Sequence, residues 1–123
     1  MDLYREEILE HWQNPQNFGE IKGADVVIDQ INPLCGDRVR FFFKFKKAKN
    51  GKIIKEVSFT GNGCAISIAA SSILSEVLKG KRVDAVKKIT GEDVLELVGG
   101  KKGFPPARLK CAFLALEAIK KVG

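Results

Sequence analysis

Arg38-Val39-Arg40-Phe41-Phe42-Phe43-Lys44-Phe45-Lys46-Lys47 alternates with a period of two, the repeat of a strand that buries one face. Val39, Phe41, Phe43 and Phe45 share one side, and Arg38, Arg40, Lys44 and Lys46 share the other, with Phe42 the exception. Asn50-Gly51 follows as a hairpin signal, and Ile53 to Thr60 reads as the partner strand, with Ile53, Val57 and Phe59 on one side and Glu56, Ser58 and Thr60 on the other.

The register follows from matching the faces. A two-residue turn at Asn50-Gly51 sets Phe43 against Ser58 and Phe41 against Thr60, which mixes apolar with polar. A three-residue loop from Lys49 to Gly51, with Gly51 in the left-handed conformation, sets Phe43 against Val57 and Phe41 against Phe59, so the apolar faces agree. Carried to the open end, this register puts Gly61 opposite Val39 and Gly63-Cys64 beside Gly36-Asp37, with Cys35 one step further on. Cys35, Asp37 and Cys64 are therefore expected to cluster at the hairpin mouth.

Upstream, Val26 to Ile31 is a short β-type run leading into Asn32-Pro33-Leu34-Cys35-Gly36-Asp37. Leu3 to Asn14 reads as a helix with Leu3, Tyr4, Ile8 and Trp12 near one side, ended by Pro15. Such a side serves either docking or core packing. His11, the one histidine, has no second metal ligand a turn away and is left out of the site.

Downstream, Ala65 to Lys79 carries its first charge at Glu76, which suits a helix buried on most sides and ended by Gly80. Cys64 then falls at or near a helix start, where unpaired N–H groups and the dipole favour an anionic group, and Gly61 and Gly63 suggest backbone close to something bound. Arg82 to Ile89 and Glu92 to Val98 read as short amphipathic helices, the second capped by Thr90 with Asp93 three residues on. Gly99 to Gly103 is a loop. It delivers the chain to Phe104-Pro105-Pro106 and a last helix, Ala107 to Val122, with Ala112, Leu116 and Ile119 along its apolar stripe and Cys111 in its first turns.

The 123 residues fit one domain, residues 1–123, and 45% hydrophobic with 29% charged residues is a globular composition. The start lacks the basic-then-apolar order of a signal peptide and no run reaches membrane-spanning length, so a cytoplasmic protein with no membrane partner is expected. The net charge of +6 is spread from Arg38 to Lys121 rather than gathered on one arm, and no nucleic-acid partner is expected. Three cysteines in a reducing compartment argue against a disulfide framework. Metal binding, sulfur chemistry and plain core packing stay open.

No two cysteines lie within four residues of each other, which is not zinc-finger spacing, and no oxyanion motif supports a Cys, His, Asp protease. Three thiolates and one carboxylate suit a tetrahedral Zn²⁺ or two irons bridged by sulfide. A hard carboxylate oxygen is a poorer partner than thiolate for a soft iron–sulfur core, so an Asp37 ligand would leave a cluster less tightly held.

Asn32-Pro33-x-Cys35-Gly36-Asp37, Gly61-x-Gly63-Cys64-Ala65-Ile66-Ser67 followed by Ala70-Ser71-Ser72, and Arg108-x-Lys110-Cys111 resemble the three signature blocks of IscU/NifU-type iron–sulfur cluster scaffolds. Tyr4, His11 and Asn14-Pro15 to Gly19 resemble that family's N-terminal segment. The resemblance implies an α+β fold, a small three-stranded antiparallel sheet packed against helices. It also implies a scaffold rather than a catalyst, one that accepts sulfur from a cysteine desulfurase, builds a [2Fe–2S] cluster and passes it to apo-proteins. By the same resemblance Cys35, Asp37, Cys64 and Cys111 become the ligands, with the cysteines as persulfide acceptors and Zn²⁺ able to take the same site.

Two departures from the pattern leave the branch open. IscU proper has a histidine where this chain has Lys110. A lysine ligand would have to be neutral, against a reference pKa of about 10.4, so Lys110 is expected as a cation near the anionic site with Asp37 its candidate partner. Lysine there is more like SufU, a zinc-dependent sulfurtransferase that relays sulfur, although SufU-type chains carry a longer insertion before the third cysteine. Phe104 to Arg108 resembles the segment that a dedicated chaperone reads in IscU.

Overall fold

The computed structural model describes residues 3–33, 36–97 and 106–122. The sheet is an antiparallel meander of β1 (Val26–Ile31), β2 (Arg38–Ala48) and β3 (Gly51–Asn62), in that order. Helices α1 (Leu3–Gln13), α2 (Ala65–Leu78), α3 (Val83–Val86), α4 (Gly91–Leu97) and α5 (Pro106–Ile119) complete the α+β architecture. α2 and α5 lie on the sheet and against each other, and α1 packs on α2 as an outer layer.

The core forms where the period-two strand meets these helices. Val39, Phe41, Phe43, Val57 and Phe59 enter it from the sheet, and Ile73, Leu74, Leu78, Leu114, Ala115 and Ile119 from the helices. Phe41 stacks between Phe43 and Phe59 at ring distances of 6.1 and 5.8 Å. Fully burying one such side chain is worth about 1.5–3 kcal/mol, so this apolar face fixes the register.

At the mouth the register is as expected: Val39 pairs with Gly61, Phe41 with Phe59 and Phe43 with Val57. The closed end differs. Ala48 pairs with Gly51, so the loop is the two residues Lys49 and Asn50, and the left-handed residue is Asn50 at φ 60. Asn tolerates that conformation, and the Arg82 guanidinium clasps the turn by donating to the carbonyls of Lys49 and Asn50 at 3.0 and 2.8 Å. A bulge restores the mouth register: Lys44 faces Glu56 while Phe45 faces Ile54, which leaves Lys55 as the extra residue. The bulge also changes faces. Ile54 is fully buried where Ile53 was expected in the core, and Ile53 is half-buried.

Both ends of the β3 edge are covered. Residues 17–19 run beside Phe59, with Phe59 N–H donating to Asn17 and Gly19 N–H donating to Phe59, while Gly80 and Lys81 exchange hydrogen bonds with Ile54. From Gly19, whose carbonyl accepts the Ser58 hydroxyl at 2.7 Å, the chain crosses the sheet's second face to reach β1. Phe42, the residue that broke the alternation, is buried as well.

Of the two middle helices, α3 is shorter than expected at four residues, while α4 has the expected length of seven, starts one residue early and has the expected cap. Thr90 N–H donates to Asp93 at 2.9 Å and Asp93 N–H to the Thr90 hydroxyl at 3.2 Å. On α1, Trp12 and Leu9 are exposed and His11 packs inward, its Nδ1 2.6 Å from the Ser72 hydroxyl of α2 and its Nε2 3.5 Å from Glu76. The expected positions of Leu34, Cys35, the loop from Gly99 to Gly103, Phe104 and Pro105 lie outside the described residues, as do the side chains of Leu3 and Tyr4. Among the described residues, no helix is long and apolar enough to cross a membrane.

Candidate metal centre

The turn between β1 and β2 closes on itself. Asn32 N–H donates to the Asp37 carbonyl and Gly36 N–H to the Asn32 carbonyl, both at 2.8 Å, with Gly36 left-handed at φ 77. Only a residue that tolerates positive φ completes so tight a return. The turn delivers Asp37 on the same face of the strand as Val39, toward the helices, and Asp37 is 8% exposed.

Opposite it, β3 runs through Gly61 and Gly63 into α2. A Cβ at Gly61 would sit 2.9 Å from the Arg38 carbonyl, and one at Gly63 would sit 2.8 Å from Asp37 Cγ. Both glycines are therefore positions of close approach, to the chain's own atoms rather than to a bound group as the sequence suggested, and what Gly63 admits is the carboxylate. Cys64 is the N-cap residue of α2 but its own side chain makes no cap hydrogen bond. Asp37 reaches this helix end from the turn before β2, its Oδ2 accepting the Cys64 N–H at 3.3 Å and the Ser67 hydroxyl at 2.7 Å. An anion at a helix N-terminus is also favoured by the helix dipole.

Cys111 arrives from the first turns of α5 and is 3% exposed. One ligand atom from each of Asp37, Cys64 and Cys111 lies within 4.8 Å of the others. Both thiols are free of disulfides. Burial works to raise the Asp37 carboxyl, and hydrogen bonds from Ser67, the Cys64 N–H, and the Cys64 and Cys111 thiols outweigh it, so the group sits below its ordinary value and is a carboxylate at neutral pH. Two thiols and an ionised carboxylate converging in a buried corner form three-quarters of a tetrahedral donor set for a borderline or soft metal.

Of the other residues named from the sequence, Cys35 lies in the β1–β2 turn, outside the described residues. Lys110 is exposed and forms no ion pair with Asp37, whose partners are Ser67, Cys64 and Cys111. The neighbouring helix offers hydroxyl and amide donors at closer range, so the carboxylate does not depend on a lysine. Ser67, quoted from the sequence only as part of a signature block, was given no role there. Its signal was a single hydroxyl three residues into a helix whose other early positions are Ala and Ile.

Comparison with known proteins places this geometry. Residues 3–122 match the NifU-like N terminal domain, and the chain belongs to that family. It is 36% identical over 119 residues to the iron–sulfur cluster assembly scaffold protein IscU 1 of Archaeoglobus fulgidus, which covers 97% of this chain and 73% of the relative. It is 34% identical to the zinc-dependent sulfurtransferase SufU of Bacillus subtilis, covering 97% and 88% of the two chains. Among solved structures, an iron–sulfur cluster assembly scaffold protein for the SUF system from Fervidobacterium islandicum superposes with a TM-score of 0.78 at 27% identity, over 95% of this chain and 93% of that one.

Proposed function

We propose that this protein is an iron–sulfur cluster assembly scaffold that builds a labile [2Fe–2S] cluster as cargo on Cys35, Asp37, Cys64 and Cys111. The observation that carries the reading is the convergence of the Asp37 carboxylate with the Cys64 and Cys111 thiols from three separate elements. Membership of the NifU-like family supports it. Cys35, two residues before Asp37 in the same turn, is the fourth donor by sequence position.

Sulfur enters as a persulfide on a cysteine desulfurase. A thiolate of Cys35, Cys64 or Cys111 attacks the terminal sulfur, a new S–S bond forms, the donor's S–S bond breaks and the donor cysteine leaves as thiolate. Reducing that sulfur to sulfide takes two electrons from an external thiol or protein reductant. The finished cluster passes to apo-proteins in the cytoplasm. A chaperone that reads Phe104 to Arg108 would act at the start of α5, the helix that carries Cys111.

A second reading, a zinc-dependent sulfurtransferase, is favoured by the likeness to the Bacillus protein and by Lys110 before Cys111. Against it, that alignment runs over 135 residues, more than the 123 of this chain, so the relative carries residues with no counterpart here. Anaerobic reconstitution with a desulfurase, ferrous iron, cysteine and a thiol reductant separates the two. The scaffold reading requires about two irons and two sulfides per cluster that move to an apo-ferredoxin. Stoichiometric zinc that iron does not replace would instead support the sulfurtransferase.

A further inference from the structure

We infer that Ser67 is a positioning residue of this centre: its hydroxyl anchors one oxygen of Asp37 and so aims the carboxylate at the Cys64 and Cys111 thiols. The inference rests on the reading of Asp37, Cys64 and Cys111 as metal ligands.

Ser67 is 1% exposed, and a buried hydroxyl without a partner costs about 1–3 kcal/mol, so where its one proton goes is informative. Three groups compete for it. Asp37 Oδ2 is at 2.7 Å, the Cys111 carbonyl at 3.4 Å and the Cys64 sulfur at 3.7 Å. The shortest contact is also the charged one, and charge-assisted hydrogen bonds are the stronger kind. The proton is therefore committed to Asp37.

The three other serines of α2 behave differently. Ser71 donates to the Ser67 carbonyl at 2.9 Å and Ser75 to the Ser72 carbonyl at 2.6 Å, while Ser72 and Ser75 also meet residues 11–17 on the side away from the site. Ser67 alone among these donates outward to the site. With the Cys64 N–H also on Oδ2, that oxygen is held from two directions and the carboxylate plane is fixed. Without the hydroxyl, Asp37 would lose its shortest hydrogen bond and keep the Cys64 N–H at 3.3 Å and the two thiols, weaker donors that hold the carboxyl less firmly.

The test uses Zn²⁺ as the probe, with dissociation constants from competition against a chromogenic chelator for the reduced full chain. Ser67→Ala should bind Zn²⁺ about tenfold more weakly, the usual size of a lost outer hydrogen bond to a metal ligand. In an Asp37→Ala background the same substitution should cost nothing further, because Ser67 acts through Asp37. Ser71→Ala removes a buried hydroxyl one turn along and should bind as the parent does. Alanine is smaller and a better helix former than serine, so α2 survives these changes. If Ser67→Ala binds within twofold of the parent while Asp37→Ala is weakened, the positioning role is overturned and the ligand reading stands. An equal loss in the Asp37→Ala background, or in Ser71→Ala, would also overturn it. If Asp37→Ala itself binds as the parent does, the ligand reading falls first.

Discussion

A Cβ placed on Gly63 would come within 2.8 Å of Asp37 Cγ and 3.1 Å of its Oδ1, so the backbone at Gly63 forms the wall against which the carboxylate rests. Neither partner can give way easily, since Asp37 is held by Ser67 and Cys64. Gly63→Ala should push the carboxylate out of the corner and weaken Zn²⁺ binding by about tenfold or more, the range for displaced supporting groups. Chelator competition beside a thermal melt would show affinity falling more than stability, and unchanged affinity would refute the wall.

Asp37→Ala should slow release of a reconstituted cluster to an apo-acceptor without abolishing assembly. On the scaffold reading, thiolates would hold the soft iron–sulfur core and the hard oxygen would be its weakest tether. Zinc, which accepts carboxylate readily, should by contrast be held less well by the same variant. Transfer followed by visible circular dichroism checks the first expectation, and unaltered kinetics would remove the argument that Asp37 keeps the cargo transferable.

The bulge at Lys55 predicts an inequality between two adjacent residues. Ile54 is fully buried, so Ile54→Ala should cost about 2–5 kcal/mol, whereas Ile53→Ala should cost less than half as much. Urea melts of the two variants decide it. Equal costs would mean that the straight hairpin, with Ile53 inward, is the populated one.

The Ser72 hydroxyl meets the Gln16 N–H at 2.7 Å and His11 Nδ1 at 2.6 Å, which ties α1 and the turn after it to α2. Ser72→Ala should cost about 1–3 kcal/mol by orphaning these groups. The loss should appear as faster amide exchange in α1 and residues 14–17, with β2 and β3 protected as before.

Asp29, on the open face of the sheet, is lowered to about 2 by hydrogen bonds from Arg38 and Arg40 at 2.8–3.1 Å, from an ordinary value of 3.8. A depressed carboxylate contributes stability that is complete above its unfolded value and is lost as pH falls through the folded one. The three side chains are about half exposed, so the contribution is on the order of 1 kcal/mol or less. Asp29→Asn should be slightly less stable than the parent at pH 7, and the difference should disappear between pH 3.8 and about 2.

The alternation from Arg38 to Phe45 was enough to place Asp37 beside Cys64, because a slip of one residue would have turned every phenylalanine outward. The turn was less legible. Its geometry depends on Arg82, more than thirty residues away, and a clasp at that separation leaves no periodic trace. The approach of Cys111 came from the resemblance alone, since the apolar stripe of α5 says which side is inward and not how far along the sheet the helix sits. Ser67 was hidden for a related reason. A serine near a helix start reads as neutral until the strand opposite is known to present a carboxylate.

The donors of the site stand far apart along the chain: Cys64 lies 27 positions after Asp37, and Cys111 lies 47 positions after Cys64. An ion seated among them would close two long loops at once, acting as a removable staple across the hairpin and both core helices. Whatever binds only the folded chain raises its melting temperature with concentration, and whatever pulls α5 away opens the staple. Ion release and partial unfolding would therefore be two faces of one equilibrium in this fold, and a chelator should lower the melting temperature by the amount that zinc had raised it.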